Sequence, residues 1–186
     1  MLKTKDQLFF LLSFCMAFIV VVSNYLVQFP VSYFNLEKIL TYGAFTYPIA
    51  FLITDLSNRR YGKAAAKKIV YLGFFLGVFI TLFFSTNFMD LISIRIAVGS
   101  GIAFLIAQLI DVFIFDALRK KIWFVAPIAS SLIGSLIDTL LFFSIAFYGT
   151  GVDWFILSMG DLSVKILVAL IMLIPFRLLL FRFQEV

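Results

Sequence analysis

Residues 94–147 read IRIAVGSGIAFLIAQLIDVFIFDALRKKIWFVAPIASSLIGSLIDTLLFFSIAF. Two apolar runs, each long enough to cross a hydrocarbon core of about 30 Å, are separated by Arg119, Lys120 and Lys121. This predicts a helical hairpin in a bilayer, since so little polar material cannot make a soluble surface. Both runs place a small residue at every fourth position leading to an aspartate: Gly99, Ala103, Ala107 and Asp111 in the first, Ala126, Ser130, Gly134 and Asp138 in the second. Residues four apart share a helix face, so each aspartate ends a smooth stripe suited to close backbone packing. Both runs contain Leu-Ile-Asp, and they cross the membrane in opposite directions. An inverted repeat would give this pattern, as would chance recurrence of a short motif.

The rest of the chain follows suit. Of its 186 residues, 63% are hydrophobic and 13% charged, against about half and a quarter in soluble domains. Apolar windows predict six spans, at residues 7–28, 42–57, 69–88, 94–118, 122–147 and 155–180, forming one all-α membrane domain over residues 1–186. The second span is short, contains Pro48 and ends in Asp55, Ser57 and Asn58, which predicts a broken or tilted helix lining a cavity. The basic start resembles a signal peptide, but its apolar stretch is too long and no cleavage site follows, so it is expected to remain as the first membrane helix. With no histidine and a single cysteine, Cys15, the chain lacks the usual catalytic base, metal ligand and disulfide, which disfavours hydrolases and metalloenzymes. Neither a cofactor nor a metal is expected.

Twelve of the fifteen Lys and Arg residues fall on one set of alternate loops and termini. Lys3 and Lys5 precede span one; Arg59, Arg60, Lys63, Lys67 and Lys68 follow span two; Arg119, Lys120 and Lys121 follow span four; Arg177 and Arg182 close the chain. The opposite loops carry only Lys38 and Arg95. Basic loops stay cytoplasmic, so both termini are predicted inside. The net charge of +5 is thus a topology signal and does not imply nucleic acid.

Ionisable groups in the membrane cost about 2.5 to 3.5 kcal/mol each on insertion scales. Counting about 1.5 Å per helical residue from the helix ends puts Asp138 and Lys165 at roughly equal depth, placed to pair, with Asp161 as a competing partner one turn from Lys165. Asp55 and Asp111 come out deeper. Two polar levels are expected: an outer one of Asn24, Asp138 and Lys165, and an inner one of Asp55, Gln108 and Asp111. The outer pair reads equally as a register-fixing ion pair or as part of a site. The inner residues have no basic partner at their depth and read as cavity or substrate groups, with Asp111 facing the cavity. Gly73 to Gly77 is a GxxxG, expected to serve a contact within the chain ahead of a homodimer contact. Phe45, Tyr47 and Tyr25 are candidate stacking platforms. Ser130, Ser131 and Ser135 are expected to hydrogen-bond across or along helices and not to act as nucleophiles.

At this point the segments SNYLVQFPVS (23–32), TYGAFTYPIAFLITDLSNRRYG (41–62), AQLIDVFIFDALRK (107–120) and APIASSLIGSLIDTLLFFSIAF (126–147), with the last helix carrying Lys165, resemble the queuosine precursor transporter family, also called the vitamin uptake transporter family. Its most specific elements are matched by Gly43, Ala44, Phe45, Tyr47, Pro48, Thr54 and Asp55, and by Gln108, Asp111, Asp138 and Thr139. The resemblance implies a six-helix bacterial inner-membrane importer of 7-cyano-7-deazaguanine or 7-aminomethyl-7-deazaguanine.

That substrate suits the residues. A deazaguanine presents ring N–H and amine donors side by side, and an unpaired carboxylate accepts two such bonds at once. Asp55, Asp111 or Asp138 could do so, with Phe45 and Tyr47 holding the flat ring and Asn24, Gln28 or Gln108 meeting its carbonyl and ring nitrogens. Ser131 and Lys165 complete the candidate site. No Walker motif is present, so this chain is not expected to hydrolyse ATP, which leaves an ion gradient, facilitated diffusion with metabolic trapping, or a separate motor subunit as the alternatives. Two rivals are a substrate-binding membrane subunit needing an ATPase partner, and an intramembrane aspartyl enzyme. The second is disfavoured by the unequal depths expected of Asp111 and Asp138.

Overall fold

The computed structural model describes residues 5–33, 36–37, 40–84 and 88–180; Lys3, Lys38 and Arg182 lie outside them. The chain forms six helices, α1 (Lys5–Leu26), α2 (Gly43–Tyr61), α3 (Lys63–Phe84), α4 (Leu91–Leu118), α5 (Val125–Phe147) and α6 (Trp154–Leu180). All but α2 are long and apolar enough to cross a membrane. Helix α2 can be more polar because it is enclosed: it packs against each of the other five. Twelve of its nineteen residues, including Thr54, Asp55, Ser57 and Asn58, are buried. The expected break at Pro48 is absent. Pro48 falls in the second turn of a continuous helix, where only one backbone donor is lost.

Side-chain contacts fix the helix directions. Gly73 and Gly77 of α3 lie against Met16 and Val20 of α1, so these helices run parallel. Thr54 and Asn58 of α2 meet Gln108 and Val112 of α4, another parallel pair. Helix α5 opposes α2, since Ser130 meets Asp55 and Gly134 meets Phe51, and α6 opposes α5. The bundle therefore alternates up and down, and both ends of the described chain lie on one side. Arg59, Arg60, Lys63, Lys67, Lys68, Arg119, Lys120, Lys121 and Arg177 gather there. Two of them lock the ends of α2 and α4 reciprocally: Arg59 donates to the Arg119 carbonyl at 2.6 Å and Arg119 to the Arg59 carbonyl at 3.3 Å.

Arg95 stands at the opposite end for a local reason. It donates to the carbonyls of Ile145 (2.9 Å) and Tyr148 (2.8 Å), satisfying acceptors that the C-terminus of α5 leaves without helical partners.

The GxxxG is an intramolecular contact, as expected. A Cβ on Gly73 would lie 2.2 Å from Met16 Cγ and 2.7 Å from Met16 Cβ, so α1 would have to move and not merely change a rotamer. Gly73→Val should cost about 1 to 3 kcal/mol by overpacking, seen as a lower thermal midpoint for the monodisperse peak on size-exclusion chromatography. An unchanged midpoint would show that α1 and α3 are not held this closely.

Candidate functional site

The outer polar level is an ion cluster. Lys165 is fully buried, and its ammonium reaches Asp138 Oδ2 at 2.8 Å, Asp161 Oδ2 at 2.6 Å and Thr139 Oγ1 at 3.2 Å. Thr139 donates in turn to Asp161 at 2.9 Å. The expected Asp138–Lys165 contact is therefore present, and Asp161 joins it as a second partner in place of competing for it. The Tyr47 ring lies 5.0 Å from the ammonium, and its hydroxyl donates to Asn24 Oδ1 at 2.8 Å. Asn24 Nδ2 donates to Thr81 at 3.1 Å. One chain of contacts thus ties α1, α2, α3, α5 and α6 at a single depth.

The inner level is built differently. The Thr54 hydroxyl donates to Gln108 Oε1, and Ser130 donates to Asp55 Oδ1 at 3.1 Å. Asp111 lies between Gln108 and Val112 on the face of α4 that meets Thr54 and Asn58 of α2, which turns it toward Asp55. It is completely buried, and neither carboxyl oxygen has a donor among the described residues. The depth count placed these residues together. It did not show that two carboxyls from different helices meet face to face.

Two clefts approach the levels from different sides. One, between α2, α5 and α6, is lined by Pro48, Leu52, Asp55, Pro127, Ser131 and Phe176 among others and has a volume of about 220 Å³ including its mouth. The other, about 180 Å³, is lined by Asn24, Gln28, Thr81, Ser93 and Ser100 with neighbouring residues of α4. This is space between atoms with room for at most a water-sized group, so neither cleft admits a bicyclic base as packed. Asp111 lines neither cleft. Asp55 is the carboxylate at the first of these two clefts.

The other candidates divide. Ser131 lines the α2–α5–α6 cleft, whereas Gln28 is exposed at the other cleft and donates to the Asn24 carbonyl at 3.2 Å. Gln108 is buried and engaged by Thr54. Phe45 is 43% exposed on the outer face of α2, and Tyr25 is exposed and packs on Phe29, so neither ring stands over the polar levels. Thr54, Ser130, Thr139 and Asp161 belong to the networks without having been singled out as site residues. The signals were the four-residue spacing of Asp161 from Lys165 and the adjacency of Thr139 to Asp138.

A family model described as "Putative vitamin uptake transporter" matches residues 41–180. A "Probable queuosine precursor transporter" of Haemophilus influenzae is 33% identical over 205 residues, covering 93% of this chain and 86% of that one. The "Queuosine precursor transporter" of Escherichia coli K12 is 33% identical over 185 residues, covering 89% and 83%. A "Probable queuosine precursor transporter" of Bacillus subtilis is 30% identical over 153 residues, covering 71% and 66%. No solved structure matches the chain significantly.

Proposed function

Since the chain belongs to the vitamin uptake transporter family and carries five helices long and apolar enough to cross a membrane, we propose that it imports 7-cyano- or 7-aminomethyl-7-deazaguanine across the inner membrane by alternating access. The observation that carries this reading is Asp55, a buried carboxylate with no cation beside it among the described residues, at the wall of a cleft between three helices. Its free oxygen suits the paired N–H donors of a guanine-like edge. Ser131 shares that wall. Tyr47 and Asn24, at the outer level, are the next groups along the path, and Gln28 lies at the opposite mouth. The Asp138–Lys165–Asp161 cluster fixes the register of α5 and α6 around them. As packed, the clefts are closed, so entry of a bicyclic base requires the helices to part.

Uptake of labelled deazaguanine by a strain unable to make it, expressing only this protein, tests the reading. Uptake well above the empty-vector strain is expected. Its absence in a well-expressing strain would overturn the proposal, and a requirement for an added ATPase would favour the substrate-binding subunit instead.

Orientation is part of the same proposal: the end of the bundle that gathers the basic residues is cytoplasmic. In a variant lacking Cys15, Lys63→Cys and Lys120→Cys should resist an impermeant thiol reagent in intact cells and react after permeabilisation. Labelling from outside would invert the assignment.

A further inference from the structure

Asp55 and Asp111 pose a problem that the ion cluster above them does not. In the cluster, Lys165 answers Asp138 and Asp161. At the inner level, Asp55 is 2% exposed and Asp111 not at all, and among the described residues only the Ser130 hydroxyl donates to either, reaching Asp55. The surrounding groups are neutral: Thr54 on α2, Gln108 on α4, Ser130 and Pro127 on α5, and Phe176 on α6. The charged groups along these helices lie away from the pair, at Lys165, Asp138 and Asp161 on one side and at Arg59, Arg119 and Asp116 on the other. Two ionised carboxylates cannot face each other in such a place. A proton on one, donated to an oxygen of the other, removes half the charge and gives Asp111 the hydrogen bond it lacks. A metal ion fits less well, because no group of three or more His, Cys, Asp or Glu residues able to hold one occurs among the described residues.

We propose that Asp55 and Asp111 form a proton-carrying pair that couples transport to proton movement. The closed arrangement is the form that crosses with the proton aboard. When the α2–α5–α6 cleft opens, water reaches Asp55, the O–H bond breaks, and the proton passes to that water while its electron pair stays on the carboxylate. Because Asp55 is also the proposed substrate contact, substrate and proton share one group. The inference therefore rests on the importer reading, and the test separates the two.

Purified protein in liposomes is given labelled deazaguanine in two assays. The first is counterflow, in which only the loaded carrier need cross. The second is uptake driven by an acid-outside gradient of about one pH unit, which for one proton per substrate allows about tenfold accumulation. Wild type should perform both. Asp111→Asn, similar in size but unable to ionise, should keep counterflow and lose the accumulation, whereas Asp111→Glu should retain some of it. Loss of both activities in Asp111→Asn, accumulation by that variant, or accumulation that follows a sodium gradient in place of the pH gradient would overturn the proposal. If wild type shows no counterflow, the importer reading falls. The pair is then judged by infrared spectroscopy at neutral pH, where a carboxylic-acid C=O band present in wild type and missing from Asp111→Asn is expected, and its absence from wild type would refute the shared proton.

Discussion

Lys165→Met should be the most damaging single substitution in the chain. It removes the one cation between Asp138 and Asp161, both nearly inaccessible, and leaves two carboxylates facing each other in the core. Breaking a buried pair costs about 3 to 5 kcal/mol, a large fraction of the 5 to 15 kcal/mol that holds a typical domain together. Membrane-inserted, detergent-stable protein should therefore largely disappear. Asp138→Asn should be much milder, because Lys165 keeps Asp161 and the cluster becomes one ammonium against one carboxylate. The decisive comparison is the triple variant Asp138→Asn, Asp161→Asn, Lys165→Met. Removing all three charges removes the cause of the damage, so abundance on size-exclusion chromatography should recover toward wild type. If the triple variant is no better than Lys165→Met alone, the cluster's contribution is shape and not charge.

Asp55→Asn should lower uptake by roughly 10- to 100-fold while leaving protein level close to wild type, because a donor amide set against substrate N–H groups leaves buried partners unmatched at about 1 to 3 kcal/mol. Folding should tolerate the change, since Asn retains an oxygen for the Ser130 hydroxyl that reaches Oδ1 at 3.1 Å. Phe45→Ala, on the exposed face of α2, should keep most of its uptake. Normal transport by Asp55→Asn would move the recognition site to the outer level.

The contrast between Phe45 and Tyr47 marks how far the residues could be read. Hydropathy and basic-loop bias lead directly to the alternating helices, and counting residues from the helix ends places Asp138 beside Lys165. Counting gives depth, however, and not rotation. Phe45 and Tyr47 are nearly level, but about 100° of turn per residue sends one toward the outside and the other over the Lys165 ammonium. The same missing angle hid the meeting of Asp55 with Asp111, which depends on how α2 and α4 are rolled against each other. The polar character of α2 could be read, yet its central position was not deduced, because a weak span can be either broken or sheltered, and only the packing of the other helices around it decides.

Gly62 alone separates α2 from α3, at φ +80°, and so leaves no slack between them. Joined through a single residue, the two helices can pivot about Gly62 but cannot draw apart, so a displacement of the C-terminal end of α2 is also a displacement of the start of α3. Close Gly73–Met16 and Gly77–Val20 contacts join α3 to α1. Through them α1 is thus tied to any shift of α3, while Asp55 and Asp111 stand on α2 and α4, two helices whose relative movement would part them.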